Sequence, residues 1–140
     1  MKKSYNSESL EDTKKIAKDL MPYLKNKIVF LEGEIGAGKT TFTNFLVEAF
    51  GKENSVSSPT FSIENRYETD NGVIIHYDLY RLKSETELDM IGFSESINEK
   101  ATILIEWADK FPLEYIENPI VISFSNVDET SRFIIMEIPD

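Results

Sequence analysis

Gly33-Glu34-Ile35-Gly36-Ala37-Gly38-Lys39-Thr40 fits G-x-x-x-x-G-K-[ST], the loop with which P-loop nucleotidases hold phosphate. The apolar run Ile28-Val29-Phe30-Leu31 before it reads as a buried strand. After it, Thr41 to Phe50 carries Phe42, Phe45, Leu46, Ala49 and Phe50 at helical spacing. Strand, glycine loop, helix is the order the motif requires. The four fixed positions occur by chance in roughly one chain of this length in a few hundred, and the flanking pattern lowers that further.

The chemistry explains the residue types. Glycines let the backbone wrap closely and turn successive N–H groups inward, a nest for phosphate oxygens. The positive end of the following helix adds to the attraction. In that role Gly33, Glu34, Ile35, Gly36, Ala37, Gly38, Lys39, Thr40 and Thr41 surround the phosphates. Lys39 reaches the β- and γ-phosphates and the Thr40 hydroxyl ligates Mg²⁺. A glycine-rich turn that merely caps a helix is the competing reading, and the flanking order argues against it.

Outward from the loop, 140 residues predict one domain, residues 1–140, burying about two-thirds of its unfolded surface. The chain has no cysteine, so disulfides and a thiolate nucleophile are excluded; a reducing compartment fits. No apolar run resembles a signal peptide or reaches the ~20 residues that span a membrane. A soluble, cytoplasmic protein without membrane contact is the expectation. With 15 basic and 25 acidic residues the net charge is −10, the wrong sign for an autonomous nucleic-acid binder. Arg66, Arg81 and Arg132 are the only arginines.

Taken in order, Met1 to Ser9 is polar and reads as loosely held. Ser9 to Asp12 is a capping-box signal, after which Leu10, Ile16, Ala17, Leu20 and Leu24 mark one apolar helix face. Pro22 is expected to end or kink that helix. Gly51 stops the helix after the loop. Ser55 to Thr60 is a hydroxyl-rich loop long enough to reach the γ-phosphate, with Thr60 the hydroxyl of choice; a rigid Ser58-Pro59-Thr60 turn is the equal alternative. Phe61–Tyr67 and Val73–Asp78 flank Asp70-Asn71-Gly72, which predicts an antiparallel hairpin. Ser84-Glu85-Thr86-Glu87 opens a short helix ending at Gly92. Ala101–Glu106, Ile120–Phe124 and Phe133–Ile138 are strands, the last two joined as a hairpin by Asn126–Ser131. The predicted fold is α/β: a three-layer, P-loop nucleotidase-like domain whose mixed sheet carries antiparallel hairpins.

A P-loop also needs an acid at a neighbouring strand end. Glu106 follows a continuously apolar strand and is the preferred metal ligand; Asp78 then positions or activates the attacking water, or holds the metal shell from outside. Lys39, Asp78 and Glu106 are the catalytic candidates, Thr40 and Glu106 the metal ligands. His76 is the only histidine, alternates onto the face of Asp78, and reads as structural rather than catalytic. Trp107 fits core packing or a gate beside the nucleotide equally well.

Four blocks in order give the chain a specific likeness: Gly33 to Phe42, Ser58-Pro59-Thr60-Phe61, His76-Tyr77-Asp78-Leu79-Tyr80-Arg81-Leu82, and Ile105-Glu106-Trp107. Over nearly its whole length it resembles the TsaE (YjeE) family, small ATPases of bacterial tRNA threonylcarbamoyladenosine synthesis. The resemblance implies ATP and Mg²⁺ as cofactors, slow hydrolysis, and action with TsaD-like and TsaB-like proteins of the threonylcarbamoyl transferase complex, through which tRNA is met indirectly. It also implies that Thr40 and Glu106 hold Mg²⁺, that Asp78 is needed for activity, that Trp107 lies near the nucleotide, that Thr13 contacts the base, and that Arg132 approaches the nucleotide.

Two other readings remain open on the residues, and a third, the GTPase, fails. A small metabolite or nucleotide kinase begins with the same loop, yet three arginines are few for clamping two sets of phosphates. A GTPase would need an Asn-Lys-x-Asp guanine reader, which Asn98-Glu99-Lys100 is not. A nucleotide-gated interaction module, with hydrolysis incidental, predicts that Glu106→Gln still supports the pathway.

Overall fold

The strand before the glycine loop becomes β2 (Ile28–Glu32) and the helix after it α2 (Lys39–Ala49). In the computed structural model, which describes residues 1–34, 36–52 and 63–139, β2 lies at the centre of a seven-stranded sheet. The other elements are β1 (Lys2–Ser7), α1 (Leu10–Leu24), β3 (Glu64–Thr69), β4 (Gly72–Asp78), α3 (Glu85–Met90), α4 (Phe93–Ser96), β5 (Thr102–Glu106), β6 (Ile120–Asn126) and β7 (Arg132–Glu137). Strand order is β1-β7-β6-β2-β5-β4-β3. The inner four, β6, β2, β5 and β4, are parallel; β3, β7 and β1 join antiparallel at the edges. Both expected hairpins are present, so the mixed sheet follows the sequence.

Alternation divides the sheet into two apolar faces. Val29, Leu31, Ile74, Leu104, Ile122 and Ile134 pack beneath Leu20, Phe42 and Leu46 of α1 and α2. Ile75, Tyr77, Ile103 and Ile105 pack on the opposite side with Leu88, Phe93 and Leu113. The layers are helix, sheet, helix. All five residues of β5 are buried, as a central parallel strand requires. That burial carries Glu106 into the protein at the strand's C-terminal end.

The N-terminal segment departs from expectation: Lys2–Ser7 pairs along its whole length with β7. It reads as polar because Lys2, Ser4 and Asn6 face solvent, while its inner positions are Lys3, Tyr5 and Ser7. These hold the strand to α1 by polar contacts: the Tyr5 hydroxyl bonds Asp19, and Lys3 Nζ lies 3.3 Å from both Asp19 Oδ2 and Tyr23 Oη. Short polar edge strands resist unwanted pairing, and they also hide from hydrophobic patterning.

Pro22 does not end α1, which runs to Leu24 with the proline in its last turn. There the missing N–H costs a single hydrogen bond. Asn26 then turns left-handed (φ 60°), and its N–H donates to Thr102 Oγ1 at 2.9 Å. Leu10, expected on the buried face, is 68% exposed, and Thr13 is buried in that face instead. Both capping boxes form, with Ser9 Oγ accepting from Asp12 N–H and Ser84 Oγ from Glu87 N–H. In each, the acid reaches the residue before the cap: Asp12 accepts from Glu8 N–H and Glu87 from Lys83 N–H.

Candidate nucleotide and metal site

Gly38 caps α2 in a left-handed conformation (φ 100°), which glycine adopts without steric cost, and no side chain caps the helix. No acidic residue stands in its first turn. The N-terminal amides are therefore left without a side-chain cap, an arrangement that can take an anion. At the other end of the loop, β6 passes so close that a Cβ on Gly33 would stand 2.7 Å from the Phe124 carbonyl oxygen. Ile35 lies outside the described residues, as does the Ser57–Phe61 loop with Thr60.

Two cavities meet across the loop. One, of about 400 Å³, is lined by Gly36, Gly38, Lys39, Thr40, Thr41, Asp78, Tyr80, Arg81, Glu106, Trp107 and Arg132. It gathers every acid, base and hydroxyl the phosphate and metal reading needs from the described residues. The other, of about 390 Å³, lies between Ser7–Thr13, Ala37–Thr41, Phe124, Ile134 and the turn at Glu129–Thr130. The cavities share Gly38, Thr41 and Arg132. The second is the more apolar, with a hydroxyl pair at its wall: Ser7 Oγ and Thr13 Oγ1 are 2.6 Å apart. A flat heteroaromatic ring matches that lining, a triphosphate the first.

Lys39 is 6% exposed although charged. Its Nζ donates to the Gly33 carbonyl at 2.6 Å, lies 3.7 Å from Glu106 Oε1, and sits 4.9 Å from the Trp107 ring centroid. The ammonium is thus held across the mouth of its own loop by a carbonyl, a carboxylate and an indole face. Phosphate oxygens offer it stronger, charge-assisted partners.

Glu106 and Asp78 are direct register partners in the parallel β4–β5 pair, so two carboxylates emerge side by side at one sheet edge. Glu106 is 5% exposed; Asp78 is half-buried, and its Oδ1 accepts from Tyr80 N–H at 3.1 Å. His76 Nε2 lies 2.6 Å from Glu106 Oε2. Thr40 is exposed and lines the same cavity. These are hard oxygen donors on three elements, the set that suits Mg²⁺ when phosphates and water complete its shell. Among the described residues no group of three or more His, Cys, Asp or Glu forms a cage for a metal alone. The residues therefore fit a cation that arrives with phosphate rather than one held by protein only.

Trp107 adopts a left-handed backbone (φ 62°), costly for a bulky residue by about 1–3 kcal/mol and characteristic of sites where geometry is imposed. Its ring meets Tyr80 at 4.9 Å between centroids. A further depression of about 340 Å³ lies beyond it, walled by Glu32, Glu34, Lys39 and Asp109. Arg132 Nη2 donates to the Gly36 carbonyl at 3.3 Å, and Nη1 to the Asp128 carbonyl at 3.0 Å, so one guanidinium joins the loop to the β6–β7 turn. The turn is set by the Asp128 carboxylate, which accepts from the N–H groups of Thr130 and Ser131. Those bonds hold its pKa below the ordinary value.

His76 reads as structural from sequence, Tyr80 stands in the His76–Leu82 block without a role of its own, and Ser7 carries no signal. His76 carried a signal, its alternation with Asp78, but the partner sits on β5, and strand pairing is not written in local sequence. Ser7 was lost with the unrecognised β1.

The family model described as "Threonylcarbamoyl adenosine biosynthesis protein TsaE" matches residues 7–134. The chain is 43% identical over 126 residues to the tRNA threonylcarbamoyladenosine biosynthesis protein TsaE of Rickettsia felis, covering 87% of this chain and 72% of that one. Against the protein of the same name from Aquifex aeolicus it is 38% identical over 130 residues, 89% and 88% of the two chains. Among solved structures, Bacillus subtilis YdiB superposes with a TM-score of 0.72 at 26% identity, covering 99% of this chain and 86% of the other.

Proposed function

This chain belongs to the TsaE family of tRNA threonylcarbamoyladenosine biosynthesis proteins, and on that premise we propose that it is a magnesium-dependent ATPase. In this reading it supports threonylcarbamoyl transfer to the adenosine beside the tRNA anticodon. The observation that carries it is the convergence of the uncapped α2 amides, Lys39, Thr40, Asp78 and Glu106 on one cavity, joined at Gly38 to a second that suits a base.

The loop amides and Lys39 bind the β- and γ-phosphates, and Thr13 and Ser7 border the base. Thr40 and Glu106 would hold magnesium, which would supply neutralisation of charge on the transferring phosphoryl group. Asp78 positions or deprotonates the water that attacks the γ-phosphorus as the bond to the β-phosphate oxygen breaks, giving ADP and phosphate. Trp107 and Tyr80 wall the phosphate cavity on one side, and Arg132 fixes the loop on the other.

A net charge of −10 disfavours a direct grip on tRNA, so TsaD-like and TsaB-like partners hold the tRNA and carry out the transfer. No helix among the described residues is long and apolar enough to cross a membrane. A tRNA-modifying pathway works where tRNA is, and the cytoplasm is the compartment this reading takes. Of the three arginines, Arg66 is engaged by Glu64 and Glu99 at the edge of the sheet. That leaves Arg81 and Arg132 at the phosphate cavity, a thin set for a kinase.

The test is reconstitution with TsaD-like and TsaB-like proteins, ATP, magnesium and tRNA. The Glu106→Gln chain is expected to bind ATP and to arrest modification. Full modification by Glu106→Gln would instead favour the nucleotide-gated module, and transfer of phosphate to a small acceptor would favour the kinase.

A further inference from the structure

We propose that His76 is a positioning residue for Glu106, holding one carboxylate oxygen so that the other alone faces the phosphate cavity. The inference rests on the reading of Glu106 as a metal ligand. It adds a residue to which neither the motif nor the resemblance gave a task.

The geometry is specific. In the β4–β5 register His76 pairs with Leu104, and Asp78 with Glu106. The His76–Glu106 contact is therefore a diagonal one across adjacent strands, within reach only of a long side chain. Nε2 stands 2.6 Å from Oε2, at the short end for a nitrogen donor to a carboxylate. Oε1, the other oxygen, lies on the Lys39 side at 3.7 Å from Nζ. The two oxygens of Glu106 thus have separate partners on separate sides.

Both groups are withdrawn from water, His76 at 9% exposure and Glu106 at 5%. A carboxylate buried to that degree requires hydrogen bonds to its lone pairs. His76 stands at hydrogen-bond distance from the Glu106 carboxylate, while Lys39 is longer and is drawn toward Gly33. When Lys39 turns to phosphate, His76 is what keeps the carboxylate in place. An Nε2–H is present in the neutral ε tautomer and in imidazolium alike, so the bond serves in either. With Oε2 engaged, Glu106 can offer the cavity one oxygen, which sets single-oxygen rather than two-oxygen ligation of a small cation. Partners of ligating carboxylates typically contribute 10–100-fold to metal affinity.

The experiment compares the whole chain with His76→Leu, His76→Gln and Glu106→Gln, by calorimetric titration of ATP in magnesium and in EDTA. Leucine and glutamine both fill the site, but only glutamine offers an N–H. The expected result is a loss of about 10–100-fold in the magnesium-dependent gain for His76→Leu, with substantial recovery in His76→Gln. Affinity in EDTA should stay near that of the unsubstituted chain. A second readout needs no metal. The chain has one histidine, so ¹⁵N-histidine spectra report it alone, and the nucleotide-free protein should show a protonated, exchange-protected Nε2. An Nδ1–H tautomer with bare Nε2 overturns the proposal. So does a His76→Leu chain that keeps the magnesium gain while Glu106→Gln loses it, which leaves the role of Glu106 standing. An unsubstituted chain with no magnesium gain overturns both.

Discussion

Glu106→Gln should change ATP affinity in opposite directions with and without magnesium. The carboxylate Oε1 lies 3.7 Å from Lys39 Nζ. A phosphate oxygen accepting from that ammonium at ~2.8 Å then stands roughly 6 Å from Oε1. Two unit charges at that distance repel by about 3 kcal/mol at an effective dielectric constant of ~20, and water and salt reduce the figure to ~1–2 kcal/mol. Removing the charge while keeping the shape should therefore tighten ATP binding in EDTA by about tenfold. Lys39 also loses its carboxylate neighbour, which pushes the same way. In magnesium the sign reverses: the amide is a poorer ligand, and losing a direct ligand costs more than the ~10–100-fold of losing one of its hydrogen-bond partners, which outweighs the roughly tenfold gain. Calorimetric titrations under the two conditions separate the effects. Parallel weakening in both would mean that Glu106 only supports the fold; no change in either would remove it from the site.

Lys39→Ala should lower ATP affinity at least ~100-fold through the loss of two charge-assisted bonds, with the folded state retained by circular dichroism; equilibrium dialysis decides it. Arg132→Ala should weaken nucleotide binding by ~1.5–3 kcal/mol by releasing the Gly36 carbonyl from the Asp128 turn, read by the same titration. Phe42→Ala should cost about 3–5 kcal/mol in urea denaturation, since the ring is fully buried and meets Phe124 edge-on at 5.3 Å. The Asp128 carboxyl should titrate by NMR below its ordinary value of 3.8, because the folded pKa is depressed by the Thr130 and Ser131 amides. Its support of the turn is thus present above the unfolded pKa and is lost as pH falls through the folded one; a titration at or above 3.8 contradicts the hydrogen-bonded turn.

The loop and its flanking elements were legible because their signal is local. A buried strand, glycines and an amphipathic helix stand consecutively in the chain, and the structure keeps that order from Ile28 to Ala49. Glu106 was legible for a related reason, since an unbroken apolar run ending in a carboxylate reads as a central strand. The Asn71-Gly72 turn likewise announced its hairpin. What sequence did not disclose depends on pairing at a distance. β1 carries no apolar stripe and is a strand because β7 offers it an edge. Leu10 fits the helical period yet falls at the mouth of a cavity, where Thr13 turns inward to meet Ser7. The task of His76 depends on which strand lies beside β4 and at what offset, which residue spacing alone does not specify.

The central claim is that the loop from Gly33 to Thr40 cradles a triphosphate whose metal is completed by Glu106. Crystals grown with magnesium and a non-hydrolysable ATP analogue test it most directly. Phosphate density is expected against the α2 amides, with a cation touching Thr40 Oγ1 and Glu106 Oε1 and the base between Thr13 and Phe124. Density for the nucleotide elsewhere, or a cation that Glu106 turns away from, would contradict it.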